Sequence, residues 1–292
     1  MRMMRRLLPF LLLCLAVLLV PTSAHAAKSQ KKAIWGPLEI DGESQFPVYK
    51  DLGVGTYQML LEWDKVGVLE PLDAKDPEDA SYEWSDEIDT AISEAKGSGI
   101  KVALSITGKP SWASASDYKD FVTAAAKRYK DVRTWAIGDG KVSPAKDYPR
   151  MLDDAYVALK AANKSNKVIG ANGNTRLKLA NGKEARMDYF GTDPTARKAP
   201  SKSSLNALKK KAGDHKLWLG PVSLPTSEGA SFRLTQSAQA SWIKTAFKLI
   251  KSDSDVAALS YRKLRDELGA PFTGLMDSDG EKKPSYNAYK QG

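Results

Sequence analysis

Residues 101–137 read KVALSITGKPSWASASDYKDFVTAAAKRYKDVRTWAI. The stretch opens on an apolar run, 101–106, with Val102, Ala103, Leu104 and Ile106, which reads as a buried strand. Ser116 is then placed to cap a helix that turns Phe121, Val122, Ala125 and Tyr129 to one face. A second strand follows at 132–137. Strand, helix and strand within 37 residues make one βαβ unit, and such units need a parallel sheet.

Working outward, the pattern repeats. Candidate strands stand at 33–38, 55–61, 101–106, 132–137, 167–171, 187–191, 217–220 and 256–261. Between them, Ser85 can cap a helix carrying Ile88, Ala91, Ile92 and Ala95. Residues 149–162 place Met151, Ala155, Leu159 and Ala162 at helical spacing, and Thr235 can start a longer helix with Ala238, Trp242, Ala246 and Ile250. A helix is expected at 203–212 and a short one near 46–51, whereas 172–186 is too polar to read as a helix. Eight strand–helix repeats predict an α/β protein, a single (β/α)8 barrel. An open doubly wound sheet would want a Gly-rich turn after an early strand, and the chain has neither G-x-G-x-x-G nor a Walker A motif. In a barrel, functional residues belong at the C-terminal ends of the strands.

The composition, 42% hydrophobic and 27% charged, is that of a globular chain and excludes a disordered or collagen-like one. The first 26 residues read as a secretory signal: Arg2, Arg5 and Arg6, then an apolar run at 7–20, then Ala24-His25-Ala26. Removing 26 of 292 residues leaves 266, which the barrel fills as one domain. Taking three arginines from a formal charge of +9 leaves +6. An exported protein with no membrane attachment after cleavage is expected. The only cysteine, Cys14, and His25 fall in the signal. The mature chain keeps His215 alone, so disulfides, thiolate chemistry and a Cys/His zinc site are excluded, and no cofactor is implied. The positive charge suits acidic partners, and its densest run is Lys209-Lys210-Lys211. That run sits at a helix end, where cations suit the dipole, and reads as solvated. No nucleic-acid-binding signature is present.

The fourth strand ends Trp135-Ala136-Ile137-Gly138-Asp139-Gly140, and the seventh runs Leu217-Trp218-Leu219-Gly220-Pro221-Val222-Ser223-Leu224-Pro225-Thr226. After the eighth come Gly274-Leu275 and Lys283-Pro284-Ser285-Tyr286. Together with Thr107-Gly108-Lys109-Pro110-Ser111-Trp112, Ala126-Lys127-Arg128-Tyr129 and Met187-Asp188-Tyr189, these segments resemble, in order, retaining glycoside hydrolases of clan A, nearest the β-xylosidase and cellulase-like branches. The resemblance runs from about Ile34 to Tyr289. It implies a TIM barrel with an acid/base glutamate after strand 4 and a nucleophilic glutamate ending strand 7. Here Gly140 falls on the first position and Pro221 on the second. Asp139 replaces an Asn, Ser223 a Gly, and Asp193 a His. Retaining hydrolysis needs two carboxyl groups about 5 Å apart, and neither Gly nor Pro supplies one.

Three readings remain. The first is a catalytically inactive barrel that binds or scaffolds on an oligo- or polysaccharide. The second is an active glycosidase with relocated carboxylates, with Asp139 the foremost candidate and Glu39, Glu62, Asp64 and Asp193 further acids near the strand ends. The third is a structural protein whose cleft is filled by side chains. Glu228 reads as a solvated loop acid and His215 as a turn residue. Trp35, Trp63 and Trp112 fall near the ends of strands 1, 2 and 3, where a sugar ring could stack. Trp135 and Trp218 read as core or pocket floor, and Trp242 as core. The sequence favours the first reading, with Trp35, Trp63, Trp112, Trp135, Glu39 and Asp193 as candidate sugar contacts.

Overall fold

A computed structural model describes residues 31–138, 147–171 and 177–292. Its strands are β1 (Lys32–Trp35), β2 (Glu39–Ile40), β3 (Glu43–Ser44), β4 (Thr56–Glu62), β5 (Lys101–Thr107), β6 (Thr134–Ile137), β7 (Lys167–Gly170), β8 (Tyr189–Thr192), β9 (Lys216–Val222) and β10 (Val256–Tyr261). The helices are α1 (Phe46–Asp51), α2 (Trp63–Val66), α3 (Asp86–Ser98), α4 (Asp117–Arg128), α5 (Tyr148–Ala162), α6 (Lys202–Ala212), α7 (Gln236–Ile250) and α8 (Pro284–Gln291). All eight expected strands are present, with boundaries moved by a few residues. They close into a parallel ring in the order β1-β10-β9-β8-β7-β6-β5-β4, while β2 and β3 form a separate antiparallel hairpin. The expected (β/α)8 barrel is therefore the fold. The signal segment, with Cys14 and His25, lies outside the described residues, as do Asp139 and Gly140.

Local chemistry explains most element ends, with two corrections. Ser85 and Ser116 stand at N-cap positions, but neither side chain makes a cap bond. Acidic first turns serve α3 and α4 instead: Asp86, Glu87 and Asp89, then Asp117 and Asp120, against the positive ends of the helix dipoles. Thr235 does cap α7, its Oγ1 accepting from Ala238 N at 3.1 Å. Gly99 stops α3 at a left-handed φ of 63°. Among the described residues no helix separates β7 from β8, in keeping with the polar reading of 172–186.

The register assigns the barrel interior. Side chains alternate across a strand, and following the pairs once around the ring returns about eight residues earlier on β1, the shear of a (β/α)8 barrel. Inward residues therefore stack in layers of four from alternate strands. From the N-terminal mouth upward they are Lys31, Lys101, Lys167 and Lys216; Thr56, Thr134, Tyr189 and Ala258; and Ala33, Ala103, Ile169 and Trp218. Above these lie Gln58, Ala136, Gly191 and Ser260; then Trp35, Ser105, Ala171 and Gly220; then Leu60, Gly138, Asp193 and Arg262 at the C-terminal rim. The buried cluster of Ala33, Ile169, Trp218 and Ala258, with Ala136 and Tyr189 against it, agrees with this stacking. The main core lies outside the ring, between strands and helices, and includes Leu104, Ile106, Phe121, Trp135 and Leu152.

Candidate functional site

The upper layers are small. Ala136, Gly191, Ser260, Ser105, Ala171 and Gly220 stand where such barrels ordinarily pack branched apolar side chains. The space they leave is a cleft of about 660 Å³ that opens at the C-terminal mouth and reaches into the ring. This volume is in the range of small-ligand sites.

Trp218, on β9, forms part of the floor. It is almost fully buried and stacks on Tyr189 below it, with ring centroids 5.9 Å apart and planes at 28°. Trp35, at the end of β1, is half-buried and lines the same space. Its indole Nε1 is buried and has no hydrogen-bond partner among the described residues. Gln58, Ser105 and Thr107 add buried polar groups to the wall. Gln58 Oε1 accepts from the Ser260 hydroxyl, so this polar pair inside the barrel is satisfied. Arg262 stands exposed on the rim.

The carboxylates bordering the cleft, among the described residues, are Glu62, Glu87 and Asp193. Glu62 closes β4 and holds Lys65 at 2.6 Å. Glu87 lies in the exposed first turn of α3. Asp193 follows β8 and turns back on its own loop, where its Oδ1 accepts from Thr195 N at 2.8 Å and from the Thr195 hydroxyl. Thr195 Oγ1 in turn accepts from Ser223 N at 3.0 Å, tying the end of β8 to the end of β9. On the ring β4 and β8 are opposite, with three strands between them either way. At ordinary strand spacing and tilt the backbones of opposite strands are about 15 Å apart. The end of β9 contributes Gly220 and Pro221 to the wall and no carboxylate. Gly220 is required there: a Cβ would meet Ser260 O at 2.4 Å, at a φ of +133°.

Of the sequence candidates, Trp35, Trp218, Glu62, Asp193 and Pro221 border the cleft. Among the other described candidates, Trp63, Trp112, Trp135, Glu39 and Asp64 do not. Trp63 lies past the end of β4, in α2, completely buried; it stacks on Phe121 at 5.2 Å and offers no face to a sugar. Trp112 packs edge-on against Trp63 at 6.0 Å and donates from Nε1 to Gly67 O at 2.9 Å, away from the cleft. Trp135 is out of phase: its neighbour Ala136 faces the interior, so Trp135 faces the helices and is fully buried. Glu39 sits on the β2–β3 hairpin, paired with Ser44, and does not line the cleft. Glu228 is an exposed loop acid paired with Arg233, as expected. Strand parity counted from Ala33 or Trp218 would have found Gln58, Ser105 and Ser260.

No protein-family model matches the chain, and no curated protein does. Solved structures match in fold. A family 39 glycoside hydrolase from the gut symbiont Bacteroides cellulosilyticus WH2 is similar at 13% identity and a TM-score of 0.68, over 90% of this chain and 63% of that one. A glucosidase from Croceicoccus marinus is similar at 17% identity and 0.67, over 90% and 67%. A psychrophilic family 10 endo-β-1,4-xylanase is similar at 15% and 0.60, over 90% and 96%. The chain thus spans under two thirds of the first of these and nearly all of the third. At such identities the likeness is one of fold, and the fold it identifies is the clan A-like (β/α)8 barrel of glycoside hydrolases.

Proposed function

We propose that the protein is an exported, non-catalytic barrel that binds an oligosaccharide in the cleft at its C-terminal mouth. The observation that carries this reading is the end of β9. Where the resembled clan has its nucleophile, Pro221 stands in the cleft wall beside Trp218, so the aromatic floor has no carboxylate at that strand end. Gly140, at the expected acid/base position, points the same way. Trp35 and Trp218 offer apolar ring faces, and Gln58, Ser105 and Thr107 offer hydrogen bonds. Sugar recognition uses this mixture of stacking and polar contact. The glycan-active neighbours of the same fold support the choice of ligand class.

The test pairs two measurements on the purified protein. A panel of oligosaccharides is titrated while tryptophan emission is followed, since two of the seven tryptophans line the cleft. Aryl glycosides and polysaccharides are then assayed for turnover. Binding without turnover is expected. Turnover would overturn the non-catalytic reading, and no binding by any member would overturn the carbohydrate reading. Export is tested by N-terminal sequencing of protein recovered outside the cytoplasm, with Ala27 the expected first residue.

A second reading, hydrolysis by relocated acids, draws on Glu62 and Asp193 bordering the cleft. It requires that any turnover be abolished by Asp193→Asn or Asp139→Ala.

A further inference from the structure

The end of the barrel opposite the cleft carries a different chemistry. Lys31, Lys101, Lys167 and Lys216 come from β5, β7, β9 and the residue before β1, which are alternate strands of the ring. Each lies two residues below an inward residue of its strand: Ala33, Ala103, Ile169 and Trp218. The shear that stacks those four in one layer stacks the lysines in the layer at the N-terminal mouth. Lys101, Lys167 and Lys216 are exposed.

Among the described residues, the acids that pair at this mouth serve Lys167 and Lys209. Asp188 is shared by Lys167 at 3.4 Å and Lys160 at 2.9 Å. Asp253 and Asp255 serve Lys209, at 2.5 and 3.2 Å. Lys31 Nζ is held by the carbonyls of Ile250 and Asp253 at 2.7 and 2.6 Å. Burial, with the like charges of Lys216 and Lys209 among the other causes, keeps Lys31 below its ordinary pKa despite Asp253. Lys101 and Lys216 have no acidic partner among the described residues. The surface also runs on past the mouth, since Lys210 and Lys211 are exposed in the last turn of α6, five or six residues before Lys216. Four ammonium groups around one mouth, continued by a basic helix end, exceed what a single small anion needs. Lysine ammoniums act on phosphate as point charges without demanding one geometry.

We propose that the N-terminal mouth of the barrel is a binding site for a polyphosphate-type chain, a polymer of phosphate groups without bases, held by Lys101, Lys167 and Lys216 and extended along the end of α6. The site is separate from the cleft and does not rest on the carbohydrate reading. It reassigns the basic run at 209–211 from a merely solvated helix end to the edge of a binding surface.

The test titrates the full-length protein with labelled inorganic polyphosphate at low salt, following fluorescence anisotropy. Wild type is compared with Lys101→Gln/Lys216→Gln and with Lys244→Gln/Lys248→Gln, which removes the same charge from the exposed side of α7. The mouth variant is expected to bind at least about tenfold more weakly with a shallower salt dependence, and the α7 variant to stay within about twofold of wild type. Circular dichroism checks that both are folded; neither Lys101 nor Lys216 has a side-chain bond to lose among the described residues. Equal weakening by the two variants, or no binding by wild type, would overturn the proposal. Orthophosphate competing as well as the polymer, at equal phosphate concentration, would overturn the polymeric occupant. An oligonucleotide of equal charge binding more tightly than polyphosphate would overturn it in favour of nucleic acid.

Discussion

Replacing Lys32 with methionine tests the energetics of the outer core at one charged group. Lys32 begins β1 and points outward into the helix layer, 1% exposed. Its Nζ donates to Leu52 O at 3.2 Å and Lys290 O at 2.9 Å and lies 5.7 and 5.6 Å from the ring centroids of Phe247 and Tyr289. Among the described residues no carboxylate pairs with it. Burial above all, and the charge of Lys251 second, push its pKa from 10.5 down to about 8. The folded protein therefore holds this proton less tightly than the unfolded chain does. Between pH 8 and 10.5 the unfolded state binds more protons, so stability rises with pH across that window. With those two pKa values, the Lys32 contribution improves by about 1 kcal/mol from pH 7 to pH 9. Buried tyrosines such as Tyr261 and Tyr289, whose phenols burial raises, act in the opposite sense. Their effect begins as the unfolded phenols ionise near pH 10, above the range used.

The assay is urea denaturation of wild type and Lys32→Met at several values between pH 7 and 9. The wild type should gain about 1 kcal/mol more than the variant over this interval. The absolute stability of the variant is less informative, because methionine removes the desolvation cost and also leaves two carbonyls without a donor. Parallel pH profiles for the two proteins would refute the reasoning: Lys32 would then keep its ordinary pKa, through water at the site or an outward side chain.

Other substitutions probe the loops and the cleft. Asp266 and Lys283 form an ion pair at 3.0 Å with both side chains 2% exposed, and Asp266 Oδ1 also accepts from Gly274 N at 2.6 Å. Lys283→Met should cost about 3–5 kcal/mol in urea denaturation, and adding Asp266→Leu should restore part of it. Gly220→Ala should cost at least about 3 kcal/mol by the same assay, since its Cβ meets Ser260 O in a backbone region closed to alanine. Trp35→Ala should weaken oligosaccharide binding at least about tenfold by tryptophan emission, with a smaller loss of stability than Trp218→Ala, whose side chain is more buried.

The barrel was legible in the sequence because strands in a parallel sheet are apolar on both faces and stand out as short runs between amphipathic helices. Cap chemistry was less legible: Ser85 and Ser116 occupy the right positions, yet acidic residues of the first turns do the electrostatic work. The cleft was legible only in part. Trp63 stands near a strand end in the sequence and Trp135 reads as core or pocket floor, but the face a strand residue shows depends on parity, and Trp63 lies beyond its strand altogether. Ala33, Ala136 and Ser260 carried the better signal, as small residues of one parity, and they look unremarkable singly. The lysine layer is harder still. Each lysine reads as a solvated strand start, and only the register of the closed ring brings the four together.

The distribution of side-chain size inside the ring bears on what the cleft is for. Filling Ala136, Gly191 and Ser260 with branched apolar residues, as many barrels do, would bury more apolar surface and contribute about 1–3 kcal/mol per side chain. The lower interior follows that logic, since Trp218 and Tyr189 stack and, with Ile169, close the middle of the barrel. The upper interior departs from it. Small residues there combine with a hydrogen-bonded Gln58–Ser260 pair and a buried Trp35 indole N–H that no group among the described residues satisfies. A purely structural barrel would gain stability by closing this space, and a filled cleft is what that reading predicts. A barrel that admits a ligand forgoes that packing at one end only, above an aromatic floor. The asymmetry requires no carboxylate at β9, so the binding proposed above does not depend on one.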